Sequence, residues 1–374
     1  MEPMVARGTA VRTACVFATL ILLAGCGDSG GGGAEPDGGS AAGGAPGGTA
    51  DPGRPEEVVS GLEVPWGLDF LPDGSALLAE RDSAEIVRVA QDGTVTDVGT
   101  VEEAVPGGEG GLLGLAVHPD FPERPYVYTY YTSASDNRIS RWEYDPEGGG
   151  LEEEEVILDG IPSASHHNGG RIAFGPDGLL YAGTGDAGVG ESSQDTDSLA
   201  GKILRLTPEG DPAPDNPFGD HVYSYGHRNV QGLAWDEEGD LYATEFGQDE
   251  LDEVNLIEPG GDYGWPEVEG PGGGDEYVDP LVTWSPAEAS PSGAAIAGGS
   301  LWVAALRGER LWEVPLTGDG EVGEPVEHHQ GEYGRLRTVV ATPDGEGLWL
   351  TTSNHDTYGS PSRQDDRVLR VPLE

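Results

Sequence analysis

Six times along this chain an apolar strand runs into a turn, Gly-containing in five of the copies, and out into a second apolar strand. The copies are WGLDFLPDGSALLAE at 66–80, LGLAVHPDFPERPYVYTYYT at 113–132, RIAFGPDGLLYAGTGD at 171–186, GLAWDEEGDLYATEFG at 232–247, AIAGGSLWVAAL at 295–306 and TVVATPDGEGLWLTTS at 338–353. Strands flanking a turn whose glycine supplies a positive φ make a hairpin rather than a helix. Further strand candidates follow the hairpins at 85–90, 138–145, 202–208, 310–316 and 367–373. A period of roughly 45–65 residues is that of a propeller blade, which buries its faces only against its neighbours. The expectation is an all-β fold, a six-bladed β-propeller of four-stranded antiparallel blades. Two stacked sandwiches are the other all-β solution, and the repeat count argues against them. No segment after the leader carries a clear 3.6-residue period.

The repeats begin only after residue 55. Ahead of them, Arg7 and Arg12 precede an apolar run at 16–23 and then Leu23-Ala24-Gly25-Cys26. Charge, a short apolar core and small residues in that order predict an export signal over 1–26, too short to span a bilayer. Cys26 sits where a lipobox cysteine is acylated. The expected location is therefore the outer face of the cell membrane, with the lipid as the chain's only membrane contact. Cys15, the other cysteine, lies inside the signal, so the mature chain is expected to lack both a disulfide and a thiol nucleophile. Residues 27–55 are nearly all Gly, Ala, Ser, Pro and Asp and predict a disordered linker. The propeller is expected over 56–374.

The 374 residues carry 19 Lys and Arg against 68 Asp and Glu, a net charge of −49. Such a field repels phosphate, which excludes nucleic acid as a partner. Lys202 is the sole lysine, and clustered arginines in this background point to an anionic ligand.

The loops on one face of a propeller converge on its channel, so polar residues from separate repeats can build one site. GEGGLLGLAVHPDF, HNGGRIAFGPDG, TGDAG, SYGHRNVQGL, EFGQDELDEVNLI, GGDYGWP and GRLRTVV resemble, in order and spacing, the motif series of the bacterial PQQ-dependent aldose sugar dehydrogenases, the glucose/sorbosone dehydrogenase family. The resemblance runs from Val64 to the C-terminus and implies an oxidoreductase that takes a small sugar, uses PQQ and Ca²⁺, and passes electrons to an external acceptor.

Carried over residue by residue, it makes His167 of HHNGGR the base that removes a hydroxyl proton, a task a neutral imidazole performs near pH 7. By composition His166 is an equal candidate. Asp186 of TGDAG is the carboxylate that orients this base, though an Asp in a Gly-rich turn also caps its own backbone. Arg228 and Asn229 are expected at the quinone oxygens, Arg228 also stabilising negative charge. Arg335 and Arg337 alternate on a strand and share a face; two such cations need an anion between them. The resemblance supplies a carboxylate of PQQ for that place, and an ion pair with an acidic side chain would serve as well. Arg307 stands where many relatives have lysine. Glu109 stands where the best-known relatives have glutamine, a doubtful contact for an anionic cofactor. Gly247 and Gln248 match the loop whose carbonyls hold Ca²⁺. Asp249, Asp252 and Glu253 read first as a solvated charge run.

Two other function classes stay open. A propeller lactonase-type hydrolase would hold a metal with carboxylates and asparagines, and a surface-anchored binding propeller would have no catalytic role.

Overall fold

A computed structural model describes residues 52–145, 148–318 and 320–373. The signal, Cys26 and most of the expected linker lie outside the described residues.

Six antiparallel sheets follow one another along the chain. Their first strands are Pro65–Phe70, Leu112–Val117, Ile172–Phe174, Val230–Trp235, Pro291–Ala297 and Leu336–Ala341, and neighbouring blades contact each other around a ring. Each expected hairpin forms the first two strands of one blade. The segments that follow the hairpins are third strands, and the fourth strands escaped sequence reading because they are short or polar. Blade five splits that outer position between Glu321–Val322 and Val326–His328, both paired with Arg310–Gly318. One 3₁₀ turn, Gly190–Ser193, is the only helical segment among the described residues.

The core is divided as the repeat requires. Six apolar clusters are buried, each straddling one junction between adjacent blades. Leu71, Leu77 and Ile86 of the first blade meet Leu115, Val127 and Trp142 of the second, for example. Removing apolar area from water at every junction holds the ring together, since a lone blade has no second layer.

Closure is a matter of chain ends. Glu56–Ser60 supplies the fourth strand of the last blade, pairing with Arg367–Pro372 from Glu56↔Arg370 to Ser60↔Arg367. Backbone pairing reaches slightly before the expected boundary, because Pro52 bridges Leu373 and the Gly53 amide donates to the Pro372 carbonyl at 2.8 Å. Deleting residues through Ser60 bares the edge of the strand at 367–372 and leaves the ring open. The expected result is a melting temperature lower by roughly 5–10 °C, read by thermal unfolding, with the secondary structure of the other blades retained.

Toward the axis the innermost strands crowd. A Cβ on Gly67 would stand 2.6 Å from the Leu113 carbonyl oxygen, and one on Gly232 would stand 2.4 Å from that of Ser292, so neither position accepts a side chain. Five of the six innermost strands also shift register against their second strand. Such a bulge re-aims the residues within it. Trp66, Gln231 and Arg337 lie in these irregularities, and Gln231 and Arg337 reach the wall of the central cavity. Beneath them Arg171 plugs the axis, its guanidinium 4.3 Å over the Trp66 ring and donating to the Gln231 carbonyl at 2.8 Å and Thr338 Oγ1 at 2.9 Å. Burial, then the neighbouring Arg337 charge, push Arg171 down to about 9.

Candidate active site

On the face where the loops between blades converge, a cavity of about 500 Å³ opens over this plug. Its wall brings together His167, Glu109, Arg228, Arg307, Arg335 and Arg337, and the loop at Gly247 and Gln248. Two of the residues expected in the site stand behind this wall: Asp186 and Asn229.

His167 follows the last strand of the second blade, on the loop into Ile172–Phe174. Its φ is +57°, a left-handed conformation that costs a non-glycine residue on the order of 1–3 kcal/mol and persists only where the surroundings enforce it. They do so here. The His167 amide donates to Glu109 Oε2 at 2.9 Å, its carbonyl accepts from Ala187 at 3.2 Å, and the Glu109 amide donates to the Ser165 carbonyl at 2.9 Å. A Cβ on Gly185 would come within 1.9 Å of the His167 carbonyl oxygen, so the next loop packs against it without room for a side chain. Glu109 thus positions the histidine, an acceptor role that relatives' glutamine can share and one independent of any ligand.

The imidazole Nδ1 lies 2.7 Å from Asp186 Oδ1. Asp186 also accepts from the Gly188 amide at 2.7 Å and from the Trp265 indole at 2.9 Å. Burial by itself would raise this carboxyl; the His167 hydrogen bond and charge, the Gly188 amide and the Trp265 indole outweigh it and hold Asp186 below the ordinary aspartate range. An ionised acceptor on Nδ1 fixes the proton there and leaves Nε2 free to accept another. Asp186 therefore both orients the His167 imidazole and caps its own turn. His166 packs edge-on to His167 with centroids 4.4 Å apart, but it is exposed, pairs with Ser165 Oγ at 3.1 Å and does not line the cavity.

Arg228 is buried, its Nη1 donating to the Phe246 carbonyl at 3.1 Å and its Nε without a partner. Desolvation lowers its affinity for a proton, opposed by Asp186, Glu245, Glu269 and Glu109 in turn. Its main chain is held by Glu245, which accepts the Arg228 amide and also binds His227 Nδ1 at 2.7 Å. Asn229 is fully buried and does not line the cavity; its Oδ1 accepts from the Gly169 amide at 2.9 Å and its Nδ2 has no partner.

Between Arg335 and Arg337 the structure places a carboxylate of the chain itself. Asp356 Oδ2 is 2.9 Å from Arg335 Nη2 and 3.3 Å from Arg337 Nη2. The anion that the sequence demanded is thus in part an acidic side chain. Burial would raise Asp356; Arg337 and Arg335 outweigh that and hold it below the ordinary range. Its stabilising charge is complete above the ordinary aspartate range and is lost as pH falls through the lowered value. Arg81, which the sequence reading did not single out, also lines the cavity. Nothing in RDSAE marked it as different from a surface arginine.

The acidic run after Gly247 is a correction. Asp249 is exposed, but Asp252 and Glu253 are buried at 1% and 7% exposure. Asp252 accepts from the Gly247 amide at 2.9 Å and from the Ser290 amide, and Glu253 accepts from the Gly270 amide at 2.7 Å. They cap loops instead of facing water. Burial pushes them up to about 6 and about 7. The Gly247–Leu251 loop is also pinned from outside, since the amides of Gln248, Glu250 and Leu251 all donate to Glu269 Oε1 at 2.8–3.0 Å. With its amides so occupied, the carbonyls of Gly247 and Gln248 accept no hydrogen bond among the described residues.

A loop of 186–200, which carries no readable motif, is held by Lys202. This lysine is wholly buried, and its ammonium donates to the carbonyls of Ser192, Ser193 and Ala200 at 2.6–2.9 Å.

The sequence profile described as Glucose / Sorbosone dehydrogenase matches residues 62–359. The chain belongs to that family. Its members are oxidoreductases, and this chain is one of them. The PQQ-bound form of aldose sugar dehydrogenase from Streptomyces coelicolor is 53% identical and superposes with a TM-score of 0.86, over 88% of this chain and 100% of that one. A Thermus thermophilus putative oxidoreductase (glucose dehydrogenase) is 48% identical with a TM-score of 0.80, over 85% and 99% of the two chains. Quinoprotein glucose dehydrogenase B of Acinetobacter calcoaceticus is 36% identical over 57% of this chain and 52% of its own length.

Proposed function

We propose that this member of the glucose/sorbosone dehydrogenase family oxidises an aldose sugar or related alcohol to its lactone with PQQ held in the cavity and Ca²⁺ beside it, passing the electrons to an external acceptor. The observation that carries the reading is charge. In a chain of net −49, the cavity is lined by Arg81, Arg228, Arg307, Arg335 and Arg337 against only Glu109 and Asp356. An excess of three positive charges, with the buried Nε atoms of Arg228 and Arg337 unpartnered, fits a flat tricarboxylate. The PQQ-bound state of the Streptomyces relative supports the same choice.

Arg228, Arg307, Arg335 and Arg337 would hold the cofactor, and the free carbonyls of Gly247 and Gln248 would supply oxygen ligands to the calcium. PQQ, when bound, supplies an electrophilic carbon that accepts the hydride lost by the sugar. His167 Nε2 takes the proton of the hydroxyl being oxidised, and the Asp186 carboxylate stabilises the imidazolium that forms. Arg228 offsets negative charge at the reacting end of the cavity. Lipidation at Cys26 would keep this site at the outer face of the membrane.

The hydrolase reading gains nothing from the cavity, whose wall carries only two carboxylates, Glu109 and Asp356, and no asparagine. The test is a reconstitution. Purified apoprotein is expected to be inactive in dye-linked sugar oxidation and to recover activity on addition of PQQ with Ca²⁺, the binding followed by absorbance titration. No PQQ binding at any calcium concentration would favour a non-catalytic propeller, and metal-dependent lactone hydrolysis indifferent to PQQ would favour the hydrolase.

A further inference from the structure

Four of the five arginines of the cavity lie deep, at 5% exposure for Arg81 and Arg337, 8% for Arg335 and 9% for Arg228, while Arg307 is exposed. At its lip stands a side chain of the opposite kind. Tyr358 is 73% exposed, more than any other large hydrophobic side chain among the described residues, and it lines the same cavity. An exposed tyrosine needs no explanation on a loose loop. This one is not on a loose loop. The Tyr358 amide donates to Asp356 Oδ1 at 2.9 Å, and the Gly359 amide donates to the Asp356 carbonyl at 3.0 Å. A Cβ on Gly359 would meet the Asn354 carbonyl oxygen at 2.1 Å, so the turn is closed against its own start. Asp356 in turn grips Arg335 and Arg337 through its other oxygen. The Arg335 guanidinium carbon lies 5.8 Å from the centre of the Tyr358 ring.

The backbone is therefore fixed to the floor of the cavity while the ring is left in solvent. A fixed backbone with an exposed aromatic ring is a pre-organised contact surface: little ordering entropy remains to be lost when something settles on it. The ring offers an apolar face and a hydroxyl that donates and accepts. The reactant that matches is a ring with one face of C–H groups and a rim of hydroxyls, which describes a pyranose. The triply negative cofactor matches the deeper arginines instead.

We propose that Tyr358 is the stacking platform on which the sugar lies, and that it sets which aldoses the enzyme accepts. This rests on the sugar-oxidising function proposed above. Thr357, beside it on the lip, adds a second hydroxyl for the sugar's rim.

The experiment compares the PQQ- and Ca²⁺-loaded wild type with Tyr358→Ala and Tyr358→Phe, using D-glucose, D-galactose and D-xylose as probes. Tyr358→Ala is expected to raise KM by about 5- to 20-fold, unequally among the three sugars, with kcat and the PQQ dissociation constant within about twofold of wild type. Tyr358→Phe keeps the ring and is expected to restore KM to within about threefold. Saturation-transfer NMR with D-glucose should show the sugar's C–H protons receiving magnetisation from the wild type and losing most of it in the alanine variant. An unchanged KM in Tyr358→Ala, or a loss of PQQ affinity equal to the rise in KM, overturns the proposal while leaving the dehydrogenase in place. Absence of sugar oxidation by the loaded wild type sinks the dehydrogenase reading instead, and the NMR difference then decides by itself whether Tyr358 meets a sugar.

Discussion

Replacing His167 by alanine is expected to lower kcat by about a thousandfold while PQQ still binds with near wild-type affinity. A positioned general base contributes roughly 10²–10⁴ in rate, and this one is positioned from three sides. Its imidazole is fixed by Asp186 at 2.7 Å, its amide by Glu109 at 2.9 Å, and its carbonyl by Ala187 at 3.2 Å. None of these contacts passes through the arginines that would hold the cofactor, so base loss should separate from cofactor loss. Steady-state sugar oxidation beside a PQQ absorbance titration makes the comparison. A kcat within tenfold of wild type would remove His167 from the chemistry.

The second large effect is expected at Arg337. Its Nη1 donates to Gln231 Oε1 at 3.0 Å, its Nη2 faces Asp356 at 3.3 Å and Ser353 at 3.3 Å, and its Nε is unpartnered. Burial pushes Arg337 down to about 10, with Asp356 acting in the opposite direction, so the charge persists at neutral pH. Arg337→Met keeps the volume but leaves Asp356 with Arg335 as its only arginine and Gln231 Oε1 with Ser292 Oγ as its remaining donor. Truncating one partner of a buried charged pair costs about 2–5 kcal/mol, so PQQ affinity should fall by roughly 10²–10³-fold, together with a lower melting temperature. Adding Asp356→Asn to Arg337→Met removes the stranded carboxylate and should recover the melting temperature without recovering PQQ affinity. A PQQ dissociation constant within threefold of wild type in Arg337→Met would show that the buried arginine pair serves the fold alone.

The sites that were legible before the fold share one trait: they are polar side chains in Gly-rich loops at fixed offsets from a strand, where packing gives them no reason to be. His167 precedes Ile172–Phe174, Asp186 follows Leu180–Gly183, and Arg228 precedes Val230–Trp235. What stayed hidden is what comes from other parts of the chain to meet them. Trp265 stands 79 residues from the Asp186 it hydrogen-bonds, and Asp356 stands 19 residues from Arg337. NHDTYG reads as an ordinary turn, and DYGWP, though part of the motif series, says nothing of the aspartate its tryptophan meets. Asp252 and Glu253 misled for the same reason. A run of acids signals solvent in isolation, and only neighbouring loops with unsatisfied amides could turn them inward.

The sequence by itself determined the number of blades, the hairpin at the heart of each, the acidic background that makes clustered arginines informative, and the family. These are properties of local periodicity and composition, and they survive in one dimension. Only the tertiary structure decided that Glu56–Ser60 closes the ring, that Asp356 lies between the two arginines, that Glu109 holds His167, and that Tyr358 stands at the mouth. Each of those depends on which distant segments share a few ångströms, and pairing across hundreds of residues is fixed by the closure of the ring.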